Sequence, residues 1–211
     1  MFGSGLDYRV TDLDYRAVEM TFFRVIGAYV SAGKAFDYGN SVAGGIDKLK
    51  EEIRRCSRTK YVLFGYSQGA SVVKGVLDGF DAKNILYVAT FGDPNLYLPE
   101  GLGLVAPACL GRELSEYRVY APNCRTNAGI FGAKKPYYSN FYAGKVGLWC
   151  NDKDLICGSS GNLLVNSGHS GYDKAMFLRA IDKAMAKIET EFGLKLVKTK
   201  NSTKIDTAIL I

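Results

Sequence analysis

The chain has almost no histidine: His169 is the one imidazole among 211 residues. Chemistry that needs a ring nitrogen must use that residue, and a multi-histidine metal site is excluded. Long hydrophobic runs are missing too, since no apolar stretch approaches the ~18 residues of a membrane-spanning helix. Five cysteines occur, but neither Cys150 and Cys157 nor Cys109 and Cys124 has the two-residue spacing of a zinc knuckle. Disulfides formed in an oxidising compartment account better for both pairs, and they leave Cys56 over. An exported chain should open with an apolar leader. Here Met1 runs straight into Gly3, Ser4, Gly5 and Asp7, so the leader and true start are expected upstream.

What is present is the composition of a globular protein, 47% hydrophobic and 23% charged. The length suits one domain with a single substantial core. The formal charge is +6, but much of the excess lies in residues 193–211, where Lys195, Lys198, Lys200 and Lys204 face only Asp206. Such a tail reads as a solvated segment or linker. No basic stripe is interleaved with aromatics, so nucleic acid is not an expected partner.

Strand-like and helix-like segments alternate along the chain, which predicts an α/β sheet with mainly parallel strands. Val18, Phe22, Val25, Ile26 and Tyr29 are spaced for a helix within 14–32. Val42, Ile46, Leu49 and Ile53 form an apolar helix face ahead of Cys56. Tyr61–Phe64 is a short apolar run, strand-like and buried on both sides. Helical spacing resumes over Ala70–Asp78. Asn84–Phe91 is the next strand, stopped by Gly92-Asp93-Pro94. Val119 and Val146–Trp149 mark later strands. A closing helix carries Phe177, Ile181, Ala184, Met185 and Ile188. Residues 95–116 and 125–144 fit no regular element; the second holds Phe131, Tyr137, Tyr138, Phe141 and Tyr142. Long ordered loops are often functional, so Tyr137, Tyr138, Phe141 and Tyr142 are candidates to flank a substrate, as is Tyr66 beside the serine.

The chemistry centres on Gly65-Tyr66-Ser67-Gln68-Gly69. Glycines two before and two after a serine permit the sharp strand-to-helix turn that lifts a nucleophilic hydroxyl above a sheet. The preceding strand and following helix supply the context that the motif needs. A serine hydroxyl is a weak nucleophile and requires a base to take its proton. His169, on the loop Asn166-Ser167-Gly168-His169-Ser170-Gly171 ahead of the last helix, is the available one. The imidazole needs a carboxylate in turn. The segment Cys150-Asn151-Asp152-Lys153-Asp154-Leu155-Ile156-Cys157 offers two, and spacing alone leaves Asp152 and Asp154 both open. The order serine, acid, histidine is that of α/β-hydrolases.

These residues resemble the cutinase family. Gly65-Tyr66-Ser67-Gln68-Gly69-Ala70 is similar to its elbow, Cys150…Asp154…Cys157 to its disulfide-bracketed acid loop, and His169 with Tyr172 to its histidine segment. Phe91-Gly92-Asp93-Pro94 is similar to a further recurrent stretch, and the likeness covers roughly residues 2–190. The resemblance implies a three-layer α/β/α sandwich, Asp154 as the acid, and an oxyanion hole made by the backbone of Gln68 and by Ser4. It implies that Cys56 pairs with a cysteine near a first strand that should precede Ser4. Nothing precedes it, so that strand is expected to be missing from this chain. Residues 1–192 form the expected hydrolase domain. Residues 193–211 form a basic linker and a strand, Ile205–Ile211, weakly similar to the opening of a von Willebrand A-type domain.

The expected activity is that of a secreted or cell-surface serine esterase on lipid-like or polyester substrates, with no metal or cofactor. The alternative is a non-catalytic lipid- or glycan-binding module on the same fold, because fold does not fix function.

Overall fold

The computed structural model describes residues 11–18, 32–96, 129–131, 142, 144–151, 154–157 and 168–193. Its elements are α1 (Ala32–Arg55), β1 (Tyr61–Tyr66), α2 (Gln68–Leu77), β2 (Ile85–Phe91), β3 (Val146–Trp149) and α3 (Lys174–Phe192). Among the described residues the sheet has the order β1-β2-β3, and both pairings are parallel. The register sets Leu63 beside Val88, Gly65 beside Thr90 and Phe91 beside Trp149.

Side-chain alternation along the strands builds two cores. Leu63, Val88, Val146 and Leu148 point to one face and pack with Leu49 and Ile53 of α1 and Val72, Val73 and Val76 of α2. Phe64, Tyr87, Ala89, Phe91 and Trp149 point to the other and meet Met176, Ala180 and Ala184 of α3. Every residue of β2 and β3 is buried, as expected of parallel strands covered on both sides. The result is a helix–sheet–helix sandwich, the predicted α/β/α class.

Local signals set the helix ends. Asp173 caps α3 by accepting a hydrogen bond from the Met176 N–H at 2.9 Å, and Gly193 closes it in the left-handed conformation. The apolar face of α3 differs from the expected one. Its fully buried line is Met176, Ala180 and Ala184, with Phe177 and Ile181 half-buried beside it. Small residues let this helix lie close to the aromatic face of the sheet.

The helix expected within 14–32 does not include its first residues, because 11–18 form no regular element. The Val18 N–H donates to Gln68 Oε1 at 2.8 Å, and Lys48 donates to the Asp14 carbonyl at 2.6 Å. This stretch is therefore tied to α1 and α2 through tertiary contacts. Residues 19–31, Val119, the stretch 97–128, the site candidates Ser4, Cys109, Cys124, Tyr137, Tyr138 and Phe141, and the tail after Gly193 lie outside the described residues.

Candidate active site

Ser67 sits where β1 ends and α2 begins, at φ 53° and ψ −116°. It is the only non-glycine residue with positive φ among those described. A side chain in this region is strained, and the surroundings must hold it there. The Ser67 N–H donates to the Phe91 carbonyl at 2.9 Å, and the Ser67 carbonyl accepts from the Ala70 N–H at 3.1 Å. Gly65 is needed because a Cβ there would lie 2.8 Å from the Gly69 carbonyl and 2.9 Å from the Ala70 backbone. The turn is thus closed too tightly for any other residue at that position.

The sheet delivers the other groups to the same end. His169, in the turn before α3, places Nε2 2.9 Å from Ser67 Oγ, across 102 residues of sequence. Its Nδ1 lies 3.1 Å from both carboxylate oxygens of Asp154. That carboxylate faces Nδ1, so the proton belongs on Nδ1 and leaves Nε2 as an acceptor toward the serine. Asp154 is fully buried and follows the end of β3. Each of its oxygens has a second donor: Oδ1 accepts from the Ile156 N–H at 2.9 Å, and Oδ2 from the Tyr172 hydroxyl at 2.7 Å. These donors leave neither oxygen of the buried carboxylate without a hydrogen bond.

The loop around Asp154 is braced at several points. Cys150 and Cys157 form a disulfide across it. The Asn151 N–H donates to the Tyr172 oxygen at 3.0 Å, and Asn151 Nδ2 donates to the Gly168 carbonyl at 3.1 Å, which ties the acid loop to the histidine turn. Burial, followed by the nearby charge of Asp154, holds the Tyr172 hydroxyl well above the usual tyrosine range. It therefore stays a donor. Cys56 carries a free thiol and is half-buried at the end of α1.

The Gln68 N–H opens α2 and makes no hydrogen bond to any described residue. As a free donor at a helix start, one residue after the serine, it suits a developing negative charge.

Two aromatic candidates fall in different places. Tyr66 is at the site, 36% exposed, with its ring stacked on His169. Tyr142 is not. It is fully buried at the opposite end of the sheet, where its hydroxyl donates to the Phe80 carbonyl and accepts from the Ala82 N–H at 3.0 Å. Two further residues carry roles that spacing did not disclose. One is Tyr172, through its bond to Asp154. The other is Gly92, whose backbone adjoins the Asp154–His169 pair. Both lay within stretches of family likeness, which was the available signal.

The parallel sheet covered on both faces, with serine, imidazole and buried carboxylate at one end, has the architecture of an α/β-hydrolase. A family model described as Cutinase matches residues 14–188, and the chain belongs to the cutinase family. It is a carboxylic ester hydrolase. No curated protein matches it. Among solved structures it is similar to acetylxylan esterase, at 23% identity over 72% of each chain, with a TM-score of 0.49. It is also similar to Trichoderma reesei cutinase in complex with a phosphonate inhibitor, at 22% identity, covering 69% of this chain and 52% of that one, with a TM-score of 0.35.

Proposed function

We propose that this protein hydrolyses carboxylic esters through an acyl-enzyme on Ser67, with His169 as the base and Asp154 as its orienting acid. The observation that carries this reading is the 2.9 Å approach of His169 Nε2 to Ser67 Oγ, with Asp154 on the far nitrogen. The Ser67 oxygen attacks the ester carbonyl carbon while its proton passes to Nε2. The imidazolium then gives that proton to the leaving alkoxide, and the alcohol departs. Water then gives a proton to Nε2 as its oxygen bonds to the acyl carbon. The bond from that carbon to Ser67 Oγ breaks, Oγ takes the proton back from Nε2, and the carboxylic acid departs. Asp154 orients the ring and supports its positive charge throughout.

The oxyanion is held by the Gln68 N–H and, by family likeness, by Ser4. A well-aimed donor of this kind contributes on the order of 3 kcal/mol to the transition state. Family membership supports lipid-like or polyester esters as the substrate class. The disulfide supports an extracellular site of action.

Hydrolysis of p-nitrophenyl esters of short and long acids tests the reading, with Ser67→Ala as control. The expected result is turnover by the native protein and a loss of at least ~10³-fold in the variant. Native-level hydrolysis by Ser67→Ala would contradict the Ser67 mechanism, whereas a folded native protein that a serine-directed phosphonate does not label at Ser67 would favour the binding module.

A further inference from the structure

We infer that Tyr66 is a positioning residue for the base, with its ring and its hydroxyl together holding the His169 imidazole in line with Ser67. The inference rests on the esterase reading above and adds a fourth side chain to it. Two separate contacts support it. The Tyr66 hydroxyl donates to the His169 carbonyl at 2.7 Å, fixing the backbone of the histidine turn. The Tyr66 ring lies against the imidazole with centroids 5.0 Å apart and planes inclined by 24°. One contact fixes where the ring is rooted, and the other limits how it tilts.

The place of Tyr66 in the chain gives these contacts their effect. It immediately precedes Ser67, at the end of β1, so the residue that clamps the base is bonded to the nucleophile. A displacement of this strand end carries serine and imidazole together and preserves their separation. Its ring meets that of Tyr172 edge-on, with centroids 5.8 Å apart, and Tyr172 holds Asp154, so each member of the relay is tied to the next. During acylation the imidazole gains a proton, and an aromatic face beside it favours that charge. Burial and, second, the Asp154 charge push the Tyr66 hydroxyl up to about 12, so it remains a donor in neutral and mildly alkaline solution. Tyr66 is also 36% exposed, so its replacement leaves both buried cores intact.

A wall of the substrate cleft and a clamp on the base predict different kinetics. A wall affects KM, whereas a clamp affects kcat. The lone histidine supplies a second readout, because its ring proton gives one resonance with no overlap from others. A stacked phenol shields that proton and moves its signal upfield.

The experiment compares native protein with Tyr66→Phe and Tyr66→Leu, using p-nitrophenyl butyrate and the His169 Hε1 signal. For Tyr66→Leu, kcat should fall about 30-fold with KM within about two-fold, the scale set by a misplaced reacting group. The Hε1 signal should move downfield. Tyr66→Phe should keep the upfield signal and regain roughly half of the lost kcat on a logarithmic scale, having the stack without the tether. Unchanged kcat in Tyr66→Leu, or a rise in KM alone, overturns the clamp, as does an unmoved signal. Should the leucine variant fail to fold, the phenylalanine variant decides: a kcat equal to native would overturn the combined role. Native protein with neither turnover nor phosphonate labelling would defeat the esterase reading instead, and the signal comparison would still decide the stacking.

Discussion

Gly92 and His169 are fitted so closely that a single methyl group on the glycine would strike the imidazole. A Cβ at Gly92 would lie 2.9 Å from His169 Cε1 and 3.0 Å from its Nδ1, and also 3.0 Å from Asp154 Oδ2. The residue follows β2 at φ +58°, a left-handed conformation that costs other L-residues about 1–2 kcal/mol. Its N–H donates to the Trp149 carbonyl at 3.0 Å, so the backbone has little freedom to withdraw.

Gly92→Ala should therefore disturb the site more than the fold. Unfolding in urea should show a loss of about 1–2 kcal/mol, matching the backbone cost. Esterase kcat should fall on the order of 10²-fold, because the base would be displaced from the serine. Steady-state kinetics beside urea titration checks both numbers. Native kcat in a folded alanine variant would mean that the imidazole is not confined from this side.

Tyr172→Phe removes one donor from Asp154 and deletes the bond that the Asn151 N–H makes to the Tyr172 oxygen. Hydrogen bonds to charged groups contribute ~1.5–3 kcal/mol. If about 1.4 kcal/mol of this is felt in the transition state, kcat falls roughly ten-fold. The same hydroxyl has a signature at high pH. Its titration point in the folded protein lies above the ordinary value of 10.0, as do those of Tyr15 and Tyr66, each about 12. Above pH 10 the unfolded chain releases these protons first, so it binds fewer than the folded one and stability falls as pH rises. The contribution is complete below pH 10 and is lost on the way past 12. Thermal unfolding from pH 9 to 12 should show this decline, and a shallower one in Tyr172→Phe. A flat profile would contradict the buried, protonated phenols.

The disulfide between Cys150 and Cys157 closes a loop with a sequence separation of 7, and Asp154 lies on that loop. Closing so short a loop restricts the unfolded chain by about 2 kcal/mol. Replacing both cysteines with alanine should lower Tm by roughly 4–8 °C for a chain of this size. Activity should fall further than stability explains, since the acid loses part of its brace. Calorimetry with kinetics at a temperature well below both transitions separates the two effects. Equal activity per folded molecule would show that Asp154 is held without the disulfide.

The elbow was legible in the sequence because its demands are local. Glycine is required where backbone passes backbone, and Gly65 meets the Gly69 and Ala70 backbone in just that way. Strands were legible at Tyr61–Phe64, Asn84–Phe91 and Val146–Trp149 because buried parallel strands are continuously apolar, and the structure extends the first to Tyr66 and starts the second at Ile85. The choice between Asp152 and Asp154 was not open to spacing, which puts both in one loop. What distinguishes Asp154 is convergence: Ile156, Tyr172 and His169 all direct donors at it. Tyr142 was misread because an aromatic in an irregular stretch reports burial and not which end of the sheet it serves. Helical periodicity from residue 14 failed at its start because the Val18 N–H is bound to Gln68, a contact 50 positions away. Long-range pairing of this kind leaves no trace in a local pattern.

The most direct measurement is to treat the native protein with a serine-directed phosphonate and locate the adduct by peptide mass spectrometry. The account predicts one phosphonylated residue, Ser67, with labelling slowed by orders of magnitude in His169→Ala although the hydroxyl is still present. An adduct on another residue, or equally fast labelling of Ser67 without the imidazole, would contradict it.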